Sequence, residues 1–139
     1  MDTLQAIVLR HKLPHLDSWN DSRRGAARFY TTALAGIGDV TVPPVPEGSN
    51  PVWHLYVIRT GEPEQLAEFL TARGISTGRH YPEPPHLSAA YKDLGYAPGA
   101  FPVAEAISAE GLSLPIYPGI SEQQLTTVVE AISDFFDRP

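Results

Sequence analysis

Two adjacent side chains, His80 and Tyr81, are the best candidates for chemistry in this sequence. They lie in the segment RHYPEPPHL, where Pro82, Pro84 and Pro85 restrict the backbone. A stiff loop loses little conformational entropy when a ligand binds, so its side chains are preorganised. Histidine transfers protons near neutral pH, and tyrosine carries a hydroxyl on an aromatic ring. The pair could therefore bind or act on a small molecule; the alternative is that both side chains pack a turn.

The other histidines do not predict a metal site. His11 and His15 have the four-residue spacing of two ligands on one helix face, but Pro14 interrupts the helix, and no acid or third histidine completes the set. His54 alternates with apolar residues in a predicted strand, which favours a hydrogen-bonded histidine in a sheet. His86 follows the proline-rich loop and is a weaker candidate than His80.

The two lysines do not predict a catalytic amine. A Schiff-base lysine needs a desolvated pocket or a cationic neighbour that lowers its pKa. Lys12 lies near the end of a predicted helix and Lys92 lies in the polar segment YKDLGY, so both are expected to be solvated surface charges. The residues alone therefore predict no catalytic and no cofactor-binding residue in this chain.

Several ligand-binding motifs are missing from the sequence. It contains no Gly-x-Gly-x-x-Gly or phosphate-loop pattern and no Gly-x-Ser-x-Gly nucleophile turn. Arg23, Arg24 and Arg28 lie on one predicted helix and could contact a phosphate. Pairing with nearby acids on a solvated helix face is the favoured alternative.

Composition narrows the class of protein. The chain has 139 residues, a net charge of −6 and no cysteine, which excludes disulfides and thiolate metal sites. The acidic balance argues against nucleic acid as a partner, because phosphate backbones are bound by clustered Lys and Arg. No apolar run approaches the roughly 20 residues of a membrane span. We expect a cytoplasmic protein that binds neither nucleic acid nor membrane.

Periodicity predicts an α+β fold that positions the proline-rich loop. Two helices lead, over residues 2–12 and from Pro14 to about 34, and short elements follow. Further helices are predicted over 63–73, 101–109 and from Ser121, where Gln124 completes a capping box. Strands are predicted over 52–59 and 112–116, with a short strand candidate at 40–42, a short extended stretch at 75–78 and a helical turn within 87–94. The expected fold is two leading helices followed by a small, mainly antiparallel sheet covered by helices, in one domain over 1–139 (helical lead-in 1–38, α+β sandwich 39–139).

Two apolar surfaces in this predicted fold need to be covered by other residues. In the strand over 52–59, Trp53, Leu55 and Val57 form a wholly apolar face, and the opposite face is mixed. In the first helix, Leu4, Ile7 and Val8 form an apolar stripe. Either the second helix covers that stripe, or it is a docking face for a domain or subunit outside this chain.

Four stretches, in order, account for nearly all of the chain: MDTLQAIVLRHKLPHLDSWNDSRRGAARFY, VWHLYVIR, RGISTGRHYPEPPHLSAAYKDLGY and FPVAEAISAEGLSLPIYPGISEQQL. Together they resemble the C-terminal part of the DegT/DnrJ/EryC1/StrS aminotransferases, which act on nucleotide-linked keto-sugars. Such enzymes are fold-type-I, pyridoxal-phosphate-dependent proteins, usually homodimers, whose large domain comes first. The resemblance implies that the cofactor lysine, the phosphate-binding serine and the acid facing the pyridine nitrogen belong to that large domain.

The resemblance transfers few functional residues to this chain. His80 and Tyr81 match the family's HYP motif, on a loop that approaches the sugar-nucleotide, and His86 matches the histidine that follows it. These three are therefore the predicted substrate-binding residues. Neither Lys12 nor Lys92 matches the family's cofactor-lysine context, so no cofactor is expected in this chain alone.

Three functional hypotheses follow from the resemblance. The favoured one is the small domain of a sugar aminotransferase that is inactive alone, because Met1 matches a methionine inside the family pattern. In the second, this chain is one subunit of a split enzyme whose partner supplies the large domain. The third is a repurposed domain that binds a nucleotide-sugar or another small molecule without pyridoxal phosphate, or a small enzyme that uses His80 and Tyr81. The expected partners are a second copy or a large-domain chain.

Overall fold

The structure, a computed structural model, describes residues 2–138 and consists of five α-helices and a two-stranded sheet. The helices are α1 (Thr3–Lys12), α2 (Leu16–Ala33), α3 (Pro63–Ala72), α4 (Pro102–Glu110) and α5 (Glu122–Phe136). The strands are β1 (Tyr56–Arg59) and β2 (Gly111–Leu114), and short 3₁₀ turns span Leu13–His15, Pro85–Leu87 and Ala89–Leu94. The predicted α+β class with two leading helices is confirmed.

The two strands are antiparallel, and each outer edge carries one further bridge. Tyr56 pairs with Leu114 and Arg59 pairs with Gly111. Thr41 bridges to Arg59 on the outer edge of β1, and Gly78 bridges to Ser113 on the outer edge of β2. The extended stretches predicted at 40–42 and 75–78 are thus single bridges rather than strands.

The first strand is shorter than predicted, and its buried side differs from the wholly apolar one. Trp53 has a φ of +53°, so the chain turns there and regular pairing begins only at Tyr56. Tyr56 and Ile58, which belong to the mixed face, are fully buried. Val57, on the other face, is half-buried, and it lines a small apolar pocket with Ile107 of α4 and the segment 41–44.

The core lies between the sheet and the helices α2, α3 and α5. Its largest fully buried side chains come from both strands and these three helices: Tyr30, Leu34, Tyr56, Ile58, Leu66, Leu70, Leu112 and Ile132. The Tyr30 hydroxyl donates to the Pro115 carbonyl at 2.9 Å, and the hydroxyls of Tyr56 and Thr31 are 2.8 Å apart. Burial raises the pKa of both tyrosines, so the core holds them in their neutral forms.

Local sequence signals explain where the helices begin and end. Ser121 and Gln124 form the predicted capping box at α5, and Asp2 forms a second one with Gln5 at α1. Pro63 and Pro102 each occupy a first helical turn, where the missing N–H costs nothing. Pro14 lies in the 3₁₀ turn between α1 and α2, as the predicted break requires.

The first helix has no buried residue. Its apolar stripe is open, with Leu4 exposed by 77%, Ile7 by 48% and Val8 by 51%, and Leu13 in the following turn is exposed by 68%. The second helix therefore does not cover the stripe, and the alternative, a docking face for a domain or subunit outside this chain, stays a prediction. No helix within residues 2–138 has the length and apolar character needed to cross a bilayer.

Candidate substrate-facing site

The predicted site loop is attached to the edge of β2. The Gly78 N–H donates to the Ser113 carbonyl at 3.2 Å, and the Ser113 N–H donates to the Gly78 carbonyl at 2.8 Å. Ser113 is 4% exposed, and its hydroxyl forms a 2.9 Å hydrogen bond with Nδ1 of His80. The strand therefore fixes both the backbone that enters the loop and the orientation of the His80 ring.

Gly78 makes this arrangement sterically possible. A Cβ at position 78 would lie 2.7 Å from Cε1 of His80, which is closer than real Cβ contacts allow. Any larger residue would have to displace the imidazole from Ser113. The absence of a side chain at position 78 is thus part of how the histidine is positioned.

Arg79 fastens the loop to two helices. Its guanidinium pairs with Glu64 of α3 and donates to the carbonyls of Ser108 and Ala109, at 2.6 and 2.9 Å. Both carbonyls lie in the last turn of α4, where they lack partners within the helix and attract a cation. The side chain is only 20% exposed, so this contact serves position rather than ligand binding.

Tyr81 presents its side chain to solvent. It is 74% exposed, and its ring meets the His80 ring edge-on with centroids 5.6 Å apart. The peptide bond between the two residues is cis. Among residues 2–138, no group forms a hydrogen bond with the Tyr81 hydroxyl, which leaves it available to a ligand.

His86 has different surroundings from the other two predicted residues. Its side chain is only 8% exposed, and Nε2 lies 3.0 Å from a Glu105 carboxylate oxygen. The ring packs edge-on against Phe101, with centroids 4.8 Å apart, and more distantly against Tyr96. The structure therefore brings His80 and Tyr81 together and places His86 in a separate buried contact. Its predicted role in substrate binding stays a prediction.

Glu105 organises the chain around His86, and sequence reasoning missed it. Its carboxylate accepts hydrogen bonds from the backbone N–H groups of Gly99, at 2.8 and 3.0 Å, and of Phe101, at 3.1 Å. These backbone donors, helped by His86, lower the pKa of Glu105. The only sequence signal was an acid in the first turn after Pro102, a position that the helix dipole alone would explain.

The segment between His86 and α4 forms an exposed aromatic arm, which we define as residues 89–101. Every residue in it is exposed, including Tyr91 (51%) and Tyr96 (49%). Lys92 is its one basic side chain. Because Glu105 holds the backbone at Gly99 and Phe101, the base of the arm is fixed, and the arm offers aromatic surface with a single cation.

The residues present do not fit pyridoxal phosphate as a covalently held cofactor. A lysine that forms a Schiff base needs desolvation or a cationic environment. Lys12 and Lys92 are both exposed, at the end of α1 and in the aromatic arm. Within residues 2–138, no three His, Asp or Glu side chains come together in a way that could hold a metal ion.

Comparison with known proteins decides the family. The sequence profile of the DegT/DnrJ/EryC1/StrS aminotransferase family matches residues 1–133. This chain belongs to that family. The match covers both leading helices, the sheet, the site loop, the aromatic arm and most of α5.

Two curated relatives illustrate the similarity. The erythromycin biosynthesis sensory transduction protein EryC1 of Saccharopolyspora erythraea is 45% identical over 132 residues, which are 95% of this chain and 36% of that protein. The dTDP-3-amino-3,4,6-trideoxy-alpha-D-glucose transaminase of Streptomyces venezuelae is 41% identical over 138 residues, which are 99% of this chain and 36% of that protein. The chain thus spans little more than a third of the length of these relatives.

Solved structures confirm the fold. The crystal structure of S. venezuelae DesV in complex with a ketimine intermediate matches with a TM-score of 0.95 and 41% identity, over 100% of this chain and 38% of that one. A DegT/DnrJ/EryC1/StrS aminotransferase from Brucella abortus matches with a TM-score of 0.90 and 36% identity, over 99% of this chain and 36% of that one. Both helices of the lead-in and the α+β part therefore recur as one continuous piece of larger aminotransferases.

Proposed function

We propose that this chain is the substrate-facing C-terminal domain of a pyridoxal-phosphate-dependent aminotransferase that acts on a nucleotide-linked keto-sugar. The observation that carries the proposal is the agreement with DesV over the entire chain, although the chain covers only 38% of DesV. The name of the S. venezuelae relative, a dTDP-amino-sugar transaminase, supports the substrate class. The amino transfer itself belongs to the complete enzyme.

In this proposal the chain contributes a preorganised contact surface. His80 is held by Ser113, so its second ring nitrogen, Nε2, is free to bond a substrate oxygen. The exposed Tyr81 hydroxyl adds a donor or acceptor beside it. His86 is buried against Glu105 and supports the chain that follows the loop rather than contacting the substrate. Positioning of this kind lowers the entropic cost of binding the substrate, and it does not itself make or break a bond.

The remaining two thirds of the enzyme would hold the cofactor. The exposure of both lysines supports a covalent cofactor site outside this chain. The exposure of the α1 stripe supports an apolar surface, also outside this chain, that covers the stripe. That surface belongs either to the same polypeptide or to a separate subunit, in a complex that is dimeric like other family members. Alone, the chain is then inactive and localised, like a complete enzyme, in the cytoplasm.

A chimera tests the proposed function. The matched C-terminal segment of the S. venezuelae relative is replaced by this chain, and amino transfer to the relative's own sugar substrate is measured. We expect an active chimera in which Tyr81→Phe lowers kcat/KM by about tenfold, the loss of one substrate hydrogen bond to a partly desolvated group. Tyr96→Phe, in the aromatic arm and packed against Phe101, serves as the matched control and should change kcat/KM less than twofold.

Two results would contradict the proposal. One is a chimera that folds and takes up pyridoxal phosphate but transfers no amino group. The other is an equal effect of the Tyr81 and Tyr96 substitutions. Borohydride treatment of the unmodified chain with pyridoxal phosphate gives a separate check: a stoichiometric adduct on Lys12 or Lys92 would show a complete cofactor site here.

A stand-alone role is the second candidate function. The observation that favours it is the position of His80 and Tyr81, which depends only on contacts within this chain. A dTDP-linked sugar added without pyridoxal phosphate should then bind in calorimetry, and Tyr81→Phe should weaken that binding. Under the first proposal any heat in the same titration is unaffected by Tyr81→Phe, since most of the pocket around Tyr81 is missing.

A further inference from the structure

A cationic groove lies on the outer side of α2, in a part of the molecule that the site loop does not reach. It has a volume of about 330 Å³, within the range of small-molecule sites. One wall is formed by successive turns of α2, which present Arg24, Arg28 and Thr32. The facing wall is the segment 45–53, which includes a turn closed by the Ser49 N–H and the Pro46 carbonyl at 3.1 Å.

Arg24 holds the two walls together. Its Nε donates to the Pro51 carbonyl at 3.3 Å, which spans the groove, and its Nη1 pairs with Asp21 at 2.7 Å. Arg24 is therefore already neutralised and serves as a structural tie. It fixes the distance between the helix and the segment that faces it.

Arg28, unlike Arg24, forms no structural contact of this kind. It is exposed, it lies one turn after Arg24 on the groove side, and no residue within 2–138 forms a hydrogen bond or an ion pair with it. Among the described residues that line the groove, none is acidic. In a chain with a net charge of −6, a free guanidinium in a groove without carboxylates is a local site for an anion.

An aromatic side chain lines the same groove. Trp53 is half-buried, packs on Tyr56 with ring centroids 5.3 Å apart, and has a φ of +53°. Thr32, Ser49 and Asn50 add hydroxyl and amide groups to the lining. A planar ring can pack on the indole while a negatively charged group reaches the guanidinium.

From this arrangement we infer that the groove binds a phosphorylated ligand that carries an aromatic ring. The phosphate lies on the Arg28 guanidinium, which matches two phosphate oxygens in a bidentate contact, and the ring packs on Trp53. The hydroxyls and the Asn50 amide bond the polar part between them. This inference is independent of the proposed function, since neither His80 nor Tyr81 takes part.

Tryptophan fluorescence tests the site directly. Trp53 and Trp19 are the two tryptophans of the chain, so Trp19→Phe leaves Trp53 as the only reporter. This chain is titrated with AMP, ribose 5-phosphate and adenosine up to about 10 mM, tenfold above a dissociation constant of about 1 mM. Calorimetry on the unmodified chain is run in parallel, so that binding without a fluorescence change is still detected.

We expect AMP to bind saturably and more tightly than either of its two parts. Arg28→Gln should weaken AMP binding at least tenfold, whereas Arg10→Gln, an exposed arginine on α1, should leave it unchanged. The inference is overturned if AMP shows no saturable heat and no quenching. It is also overturned if adenosine or ribose 5-phosphate binds as well as AMP, or if the two arginine substitutions have equal effects.

Discussion

The apolar side chains of α1 should determine how this chain associates when nothing else covers them. Six such side chains in α1 and the start of α2 are between 44% and 77% exposed: Leu4, Ile7, Val8, Leu9, Leu13 and Leu16. An isolated helix of this length is marginal in water, so α1 gains order when its stripe is covered. The aminotransferase relatives, which are almost three times as long, have enough additional chain to cover it.

The free energy of self-association follows from those exposed fractions. Burying half to three-quarters of a leucine, isoleucine or valine side chain contributes about 0.8–2 kcal/mol. Six of them give roughly 5–12 kcal/mol per copy before any cost. Association itself costs about 4–15 kcal/mol, so two copies of the chain should form a weak dimer, with a dissociation constant of roughly micromolar to millimolar.

The perturbation is the triple variant Leu4→Gln, Val8→Gln and Leu13→Gln. Since all three side chains are exposed, the variant should change the free energy of unfolding of the remaining fold by less than about 0.5 kcal/mol each. It should nevertheless abolish self-association. Ile58→Ala is the matched control in the core: it should cost about 2–5 kcal/mol of stability and leave any association of the folded protein unchanged.

Sedimentation equilibrium over a wide concentration range, together with urea unfolding, separates the two effects. The reasoning is refuted if the triple variant lowers the unfolding free energy by several kcal/mol, because α1 would then pack within the chain. An unmodified chain that remains monomeric at millimolar concentration would equally contradict it.

Three further predictions concern the site and the core. Gly78→Ala should push the His80 ring away from Ser113, seen as a changed imidazole signal by NMR, at a stability cost of about 1 kcal/mol. Gly25→Ala on α2, where a Cβ would meet only the Arg28 side chain at 4.0 Å, should instead stabilise the fold by about 0.5–1 kcal/mol. Glu105→Gln should speed hydrogen exchange at Gly99 and Phe101. Because the pKa of Glu105 is lowered in the folded state, its carboxylate contributes to the free energy of unfolding above the ordinary pKa of 4.5, and this contribution is lost as the pH falls through the lowered pKa. The melting temperature of the Glu105→Gln variant should therefore fall less steeply with acidification than that of the unmodified chain. The pKa of Tyr56 is raised by burial, so stability should decline above pH 10, and Tyr56→Phe should reduce that slope while costing about 1 kcal/mol for the lost bond to Thr31.

The parts of the fold that sequence predicts well are those governed by local signals. The capping box at Ser121 and the proline break between the first two helices depend on neighbouring residues only, and both are confirmed. The predicted start of β1 was wrong, because the alternation of apolar residues extends through Trp53, whereas the backbone at Trp53 has a positive φ and turns there. Its buried face was not predicted either, since that depends on where α2 and α5 pack.

In the candidate site, too, local sequence signals were predictive and long-range contacts were not. Proline spacing alone pointed to a stiff loop at His80 and Tyr81, but the contacts that hold this loop in the structure come from residues distant in sequence. Ser113 is 33 positions away from His80, and Glu105 is 19 positions away from His86. Neither partner is distinctive by residue type, so the burial of His86 could not be anticipated from the sequence.

Under the proposed function, the residues that position a substrate are separate from those that would transform it. Everything that holds the site loop is within this chain: the bridge of Gly78 to Ser113, the bond from Ser113 to His80, and the contacts of Arg79 with α3 and α4. The loop should therefore keep its conformation in the isolated chain. The stripe of α1 has no such internal partner, and the exposed lysines offer no desolvated amine. Under the proposed function, a contact loop held within the chain and an apolar stripe left uncovered are what we expect when binding and cofactor chemistry lie on different parts of one enzyme.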